Sequence, residues 1–485
     1  MNTTSPDMFQ CKKALSWLAL GVAVLLGAIW LWCCWCAFPA SACGVFNDMR
    51  TAASVGLHLG FSPYSTENAG QITTWIYGPV PLYVLWPAGW ARTAAGALEV
   101  AGGINLGLVV FGVVAACLHY GGRTTWISAA LVSLFAWPVY TLNTFSSEHV
   151  VFAAGMAGMV LMEKDHRRGA ALCAVLALFS KQTAFGVGLA QVIWLLASEG
   201  LPGALRHLGR LAAIGAAFAC LFLARFHPAS LWQSMFVVPG GLPWTPNLRW
   251  QLVDGGPYLL AAVALAVGAA LTCRKGNRLA LPALTYLFLF PLAAATDFKF
   301  GGSYGAFDVA FLWLAPALAL GLGRLGARWP SAVLAGALAA AAFGCWRLTT
   351  ESLDVRPDVE MYREAVYLAR GGHVWFPLNP LVTLYSEGRY YHDEDGLSER
   401  EASGHPVTRA RLWANLPHDL QRVVYSRAPT GTGIMTWGIA VRETGNVGRR
   451  FGLLWFVMEC KPPQTASDPS PLQKREGAWL PEHGL

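Results

Sequence analysis

Apolar segments long enough to cross a bilayer recur along this chain, separated by short connectors rich in lysine and arginine, and that alternation restricts its fold more than any other feature. A spanning helix needs roughly 20 apolar residues. Segments of suitable length lie near 14–36, 103–120, 126–143, 149–163, 211–226, 257–273, 279–296, 306–323 and 331–349. The stretch 79–97 is apolar too, but Pro81, Pro87 and Arg92 interrupt it. Only 13% of the residues are charged and the mean hydropathy is +0.42, against about 25% charged in a soluble protein. There is too little polar surface for a chain soluble throughout. The 21 tryptophans and 14 tyrosines suit a protein with two membrane interfaces to anchor.

Basic connectors set orientation. Lys12-Lys13, the run Glu163 to Arg168, then Arg206, His207 and Arg210, Arg274-Lys275 with Arg278, and Arg324 with Arg328 mark one side, the cytoplasmic one. The formal charge of +7 resides in such connectors. No basic run is interleaved with aromatics as nucleic-acid binding requires. The run Ala14–Cys36 follows Lys12-Lys13 and exceeds the apolar core of a signal peptide, about 7–15 residues. It reads as an uncleaved first span with the N-terminus inside. Cys33, Cys34 and Cys36 at its far end read as small apolar residues of a span. A disulfide to Cys43 in an oxidising compartment is the other reading.

The run 169–198 holds Ser180-Lys181-Gln182 at its centre. A lysine at mid-span costs a few kcal/mol or more, so the expectation is two short helices that meet at the outer surface with Lys181 in the turn. The spans then alternate consistently, about eleven in all. The outer connections become 37–78, 144–148, 180–182, 227–256 and 297–305, and these carry the unusual residues. A site facing outward follows.

After Thr349 the composition changes. Residues 351–485 hold 32 charged residues in 135, the preceding 350 only 31. We divide the chain into a membrane domain, 1–349, a small outer mixed α/β domain, 350–461, and a tail from 462 whose Pro, Ser, Gln and charge suit disorder. Pro357–Arg370 reads as an amphipathic helix, and 380–386 and 407–416 as further helices. Residues 373–376, 422–425 and 451–458 read as strands.

One polar stretch concentrates the chemistry. It runs Asp48-Met49-Arg50, then Gly60-Phe61-Ser62-Pro63-Tyr64, then Tyr77-Gly78-Pro79-Val80-Pro81. The order of a first span, an acidic residue, Gly-x-x-Pro-Tyr and Tyr-x-Pro resembles the first outer loop of GT-C glycosyltransferases, of the protein mannosyltransferase and aminoarabinose transferase type. These polytopic membrane enzymes take a sugar from a polyprenyl-phosphate carrier. The resemblance implies an α-helical polytopic membrane fold. It implies an acidic residue of this loop at the active site, which nominates Asp48 as general base. It implies transfer to an acceptor on the periplasmic side (lipid, glycan or protein) in a bacterial inner membrane. Tyr64 and Tyr77 belong to the same loop motif and become candidate substrate contacts.

Glu148 follows Ser146-Ser147 about a hundred residues later, where the family often has a second acidic residue. Read without the family, Ser146 or Ser147 caps the next helix and Glu148 favours its dipole. A divalent metal, Mg or Mn, shared by Asp48 and Glu148 is compatible with the resemblance. His149 reads as a metal ligand or as an interface residue. Lys181, in Lys181-Gln182-Thr183-Ala184, resembles the Lys-x-Thr-Ala turn of many GT-C proteins, which implies contact with the donor phosphate. A lysine that snorkels to the interface is the alternative. Lys299, in Lys299-Phe300-Gly301-Gly302-Ser303-Tyr304, is similar to the Lys-x-Gly-Ser stretch of bacterial relatives. With Ser303 and Tyr304 it joins the candidate donor contacts, beside the plain reading of a glycine-rich turn. The expected position of an Asn after this stretch is not matched. No P-loop, GxGxxG, HExxH or Gly-x-Ser-x-Gly motif is convincing, which fits a lipid-linked donor. A transporter or flippase of a lipid-linked sugar is the rival class. It usually shows two related halves with broken helices at mid-membrane, and no internal repeat is visible here.

Overall fold

The computed structural model describes residues 6–37, 44–122, 125–137, 139–244, 256–273, 276–302, 304–351, 359–370, 374–417, 419–425, 441–450 and 453–460. Cys43, Arg249, Ser303 and the segment from 461 fall outside the described residues, as does the side chain of Tyr304.

Helices stand over every apolar segment. In order they are α1 (Pro6–Ala37), α2 (Gly44–His58), α3 (Ala94–Tyr120), α4 (Trp126–Phe135), α5 (Ser147–Glu163), α6 (Arg167–Leu178), α7 (Phe185–Arg225), α8 (Gly256–Leu271), α9 (Ala280–Asp297), α10 (Phe311–Arg328) and α11 (Pro330–Glu351). Among the described residues four stretches are long and apolar enough to cross a membrane outright: Ala94–Tyr120, Gln182–Arg225, Ala280–Asp297 and Gly305–Arg328. Leu25, Phe111, Leu118, Leu196, Leu221, Leu260, Leu271 and Phe343 lie exposed on these helices. Surface of that kind is untenable in water at this extent and unremarkable against lipid.

The division of 169–198 follows the expectation. α6 stops at Leu178, Lys181 stands in extended backbone, and the chain turns into α7. α7 itself breaks at Gly200 (φ 76°, ψ −175°). In one straight helix His207 and Gln191 would stand about 24 Å apart along the axis. Instead their side chains bond, Nε2 to Oε1 at 2.9 Å, so the chain doubles back.

The two ends of the bundle differ in chemistry. At one end His119 and Tyr120 bond Glu163, Arg278 lies over the Tyr120 ring, and Arg167 bonds Glu199. The basic connectors thus collect together. The other end carries α2, the irregular segment 59–79 and the chain beyond 359.

The expected loop 37–78 is in part a helix. Ala52, Ala53, Val55 and Leu57 in α2 are buried against the rest of the protein. The reading missed a short helix whose apolar residues follow Asn47, Asp48, Arg50 and Thr51.

The C-terminal segment contains α12 (Val359–Ala369), β1 (Val374–Trp375), α13 (Pro380–Glu387), α14 (Glu394–Ala402), α15 (Arg409–Trp413), β2 (Arg422–Tyr425), β3 (Val441–Arg450) and β4 (Leu453–Cys460). The sheet order is β1-β2-β4-β3, with β1 and β2 parallel and the other pairs antiparallel. Expected helices and strands coincide with α12, α13, α15, β1, β2 and β4. α14 and β3 escaped the sequence reading because Glu394–Ala402 holds few apolar residues and Val441–Arg450 lacks alternation. This segment grips 59–79 through buried polar bonds. Asp393 accepts from the Thr74 N–H at 2.9 Å, His392 Nδ1 accepts from the Ile72 N–H at 2.8 Å, and Arg400 donates to Ser65 Oγ at 2.9 Å.

Candidate active site

One turn of α2 presents two chemistries because adjacent residues point about 100° apart while i and i+3 share a face. Asn47 and Arg50 share a face toward the segment before α5. Asn47 donates to Asn143 O at 2.7 Å and accepts from the Phe145 N–H at 2.7 Å. Arg50 donates to Phe145 O at 2.5 Å and to Tyr77 Oη at 3.3 Å. Asp48 points elsewhere, to the C-terminal segment. It is fully buried and accepts from Tyr362 Oη at 2.7 Å, the Leu381 N–H at 3.0 Å and Asn379 Nδ2 at 3.3 Å. Burial pushes its carboxyl up to about 7, and these three donors hold it below where burial alone would take it.

Glu148 opens α5. Ser146 is the cap, its hydroxyl accepting from the Glu148 N–H at 3.1 Å. The Glu148 carboxylate then accepts from Ser146 Oγ at 2.5 Å, from Ser147 Oγ at 3.0 Å and from Lys181 Nζ. Capping and ion pairing coexist in this one residue. Lys181 and Glu148 are both buried, so Lys181 does not snorkel. Its position depends on Gly78. The Gly78 and Val80 N–H groups donate to Ser180 O and Phe179 O at 3.2 and 3.1 Å. A Cβ at residue 78 would lie 1.9 Å from Phe179 O. Only glycine lets the two turns lie backbone to backbone. Gln182 closes the join by donating to Ile76 O at 2.7 Å and Met235 O at 2.6 Å.

Two cavities meet at this ion pair. A polar one of about 40 Å³ is lined by Arg50, Tyr77, Glu148, Lys181 and Asp308, together with the Gly301–Gly302 backbone. A second, narrow one of about 10 Å³ has Glu148 and Lys181 at one side and Val151, Ala184, Leu289 and Val309 around the rest. A charged boundary between a polar chamber and an apolar one suits a ligand with a charged head and an apolar tail. A wider, open depression of about 590 Å³ lies at the opposite end, among Arg168, Arg206 and Arg210.

Asp308 sits in the 3-10 turn Tyr304–Ala310 that leads into α10 and is buried. His149 Nε2 stands 3.4 Å from its Oδ2, and neither atom has another partner among the described residues. On the other side of the ring His149 Nδ1 is 2.7 Å from Asn105 Oδ1. Trp137 borders the imidazole edge-on at 5.5 Å and stacks on Phe311 at 4.1 Å.

The structure therefore gathers Glu148, Lys181 and Tyr77 from the sequence candidates. Tyr64 supports the loop: its hydroxyl donates to Tyr77 O at 2.9 Å and accepts from Trp75 Nε1 at 3.2 Å. Asp48 and Lys299 do not line the polar cavity. Lys299 Nζ donates to Pro239 O at 2.8 Å and Gly240 O at 3.1 Å and lies over the Trp244 ring. It pins the 238–244 segment against the turn, where Gly301 has φ +75°. Asp48 and Glu148 bond to different partners, and no group of three or more His, Cys, Asp or Glu converges to hold a metal among the described residues. Cys33, Cys34 and Cys36 are free thiols. Sequence reasoning missed Arg50, Asn105 and Asp308. Asn105 was detectable as an amide inside an apolar helix, and Arg50 by its i, i+3 relation to Asn47.

No family model matches the chain, nor does any curated protein. Solved structures do. The crystal structure of ArnT from Cupriavidus metallidurans bound to undecaprenyl phosphate matches with a TM-score of 0.55 and 11% identity, covering 91% of this chain and 97% of ArnT. The same protein in the apo state gives 0.50 and 12%, over 92% and 98%. The archaeal oligosaccharyltransferase AglB from Archaeoglobus fulgidus, in complex with an inhibitory peptide and a dolichol-phosphate, gives 0.42 and 12%, over 86% and 70%. ArnT, an aminoarabinose transferase, and AglB are members of the GT-C superfamily. The likeness to ArnT extends over nearly the whole of both chains, so this chain has the fold of ArnT.

Proposed function

We propose that this chain is a membrane glycosyltransferase that takes a sugar from a polyprenyl-phosphate donor and passes it to an acceptor hydroxyl or amine at the outer face of a bacterial inner membrane. The observation that carries the reading is the buried Glu148–Lys181 pair at the boundary between the polar and apolar cavities. In this reading the isoprenoid enters among Val151, Ala184, Leu289 and Val309. The phosphate meets Lys181 and Arg50, which hold the charge that develops as the sugar leaves. Arg50 suits this task because its planar fork serves two acceptors at once. Tyr77, which receives Arg50, borders the sugar chamber. Glu148 orients Lys181, and its three donors leave it little capacity to take a proton. Lys299 and Asp48 act at one remove: Lys299 shapes the glycine turn and Asp48 fixes the C-terminal segment above the cavity. About eleven crossings, an inside N-terminus and an outer C-terminal segment complete the proposal.

The test is transfer of radiolabelled sugar from polyprenyl-phosphate-linked pentoses and hexoses in proteoliposomes that contain envelope lipid and glycan as acceptors. Transfer that disappears with Lys181→Ala supports the reading. Movement of the intact lipid-linked sugar across the bilayer without cleavage overturns it in favour of a flippase.

A further inference from the structure

Transfer to a hydroxyl requires a base, and two carboxylates line the polar cavity, Glu148 and Asp308. Asp48 is filled by three donors of the C-terminal segment, and Glu148 by two hydroxyls and Lys181. Asp308 lines the polar cavity, where its Oδ2 faces His149 Nε2 at 3.4 Å. The proton positions on this pair can be deduced. Asn105 Nδ2 donates to Leu142 O at 3.1 Å and Thr144 O at 3.4 Å, which fixes Asn105 Oδ1 toward the imidazole. An amide oxygen only accepts, so His149 Nδ1 carries a hydrogen. Nε2 then faces a carboxyl oxygen, and two lone pairs at 3.4 Å in a buried site would repel. A single proton between Nε2 and Oδ2 removes that repulsion. Either the pair is imidazolium and carboxylate, or it is imidazole and acid, and in both forms its net charge is zero.

We propose that Asp308 is the general base of the transfer, with His149 as its positioning residue and Asn105 fixing the ring. This rests on the glycosyltransferase reading above. With the shared proton on His149, the Asp308 carboxylate takes the proton of the acceptor hydroxyl. The acceptor oxygen forms its bond to the anomeric carbon of the sugar. The bond from that carbon to the phosphate oxygen breaks, and its electron pair stays on the polyprenyl phosphate, opposite Lys181 and Arg50. The protonated Asp308 later loses its proton to water entering the cavity. The His149 cation offsets the negative charge of Asp308 while the proton is elsewhere, as a buried carboxylate requires.

Two measurements on one set of proteoliposomes test this: sugar transfer, and affinity for undecaprenyl phosphate as the probe. Asp308→Asn should lower turnover by about 10²–10⁴-fold, the usual contribution of a general base, and leave affinity for the probe within about twofold. Asp308→Gly should be as slow, and added formate should restore part of its turnover, because a small carboxylate fills the vacated place. His149→Leu should lower kcat and leave KM for the donor in place, and His149→Gln, which keeps an N–H toward Asp308, should recover part of that loss. If wild type transfers sugar and Asp308→Asn is equally fast, Asp308 is not the base although the glycosyltransferase reading stands. Loss of probe affinity in step with turnover makes Asp308 a binding post and overturns the assignment. Should Asp308→Asn fail to assemble, an assembled Asp308→Gly that formate does not restore overturns it as well. If wild type cleaves no donor at all, the glycosyltransferase reading fails and the base assignment with it.

Discussion

Lys181 reaches Glu148 across 33 residues of sequence, from the turn before α7 to the head of α5, and both side chains are buried. Removing one member of such a pair leaves an uncompensated charge, at a cost of about 3–5 kcal/mol. Lys181→Met should therefore lower the unfolding temperature in detergent markedly. The double variant Lys181→Met with Glu148→Gln should regain most of that stability, since no lone charge remains. It should still bind undecaprenyl phosphate at least tenfold more weakly than wild type. A double variant that binds as wild type does would restrict Lys181 to a structural role.

Gly78 makes a separate prediction because it never touches the cavity chemistry. A Cβ there meets Phe179 O at 1.9 Å, so Gly78→Ala must push the 179–182 turn away. Lys181 moves with that turn. We expect undecaprenyl phosphate affinity to fall about tenfold, the equivalent of about 1.4 kcal/mol, although every charged residue is intact. Unchanged affinity would mean that the turn shifts without carrying Lys181 from its place.

How much of this was legible in sequence depended on whether the signal was local. Lys181 announced its turn because a charge within an apolar run of thirty residues has few inexpensive places to go. The basic connectors announced the opposite end. Asp48 was singled out as the acidic residue after the first span, but a reading that treats 37–78 as a loop assigns no faces. Once 44–58 is a helix, Asn47 and Arg50 turn toward α5 and Asp48 turns toward Tyr362 and Asn379. The pairing of Asp308 with His149 joins residues from distant helices through two buried atoms, and no local pattern encodes it. A glycine-rich turn at Gly301 was one of two readings the sequence left open, whereas the bonds of Lys299 to Pro239 and Gly240 are tertiary.

The Asp48 contacts make the docking of the C-terminal segment depend on pH. Its carboxyl rises from 3.8 to about 7 on folding, chiefly through burial. A raised carboxyl favours the folded state when protonated. Its contribution is thus complete below about pH 4 and is lost as pH climbs through about 7, by at most about 1.4 kcal/mol per pH unit. Asp48→Asn stays neutral, so its stability should be flatter across that window and should exceed wild type at pH 8. Thermal unfolding of both proteins from pH 4.5 to 8 checks this; parallel curves would remove Asp48 as the titrating group. Sugar transfer by Asp48→Asn should remain within about tenfold of wild type, far above the rate of Asp308→Asn.

Orientation is the remaining expectation. His119, Glu163 and Arg278 interlock at one end of the bundle, and Lys181, Glu148 and the C-terminal segment occupy the other. Positive connectors stay on the cytoplasmic side because translocating lysine and arginine against the membrane potential is unfavourable. On the proposed function the cavity end is expected to face outward, on the side where a lipid carrier would present its sugar. Alkaline phosphatase fused to the end of the full chain should be active in cells, and a fluorescent protein that matures only in the cytoplasm should stay dark at the same point. A dark phosphatase paired with a bright reporter would invert the molecule. It would place Lys181 and Arg50 on the side where soluble nucleotide sugars are available, and so remove the main physical reason for a lipid-linked donor.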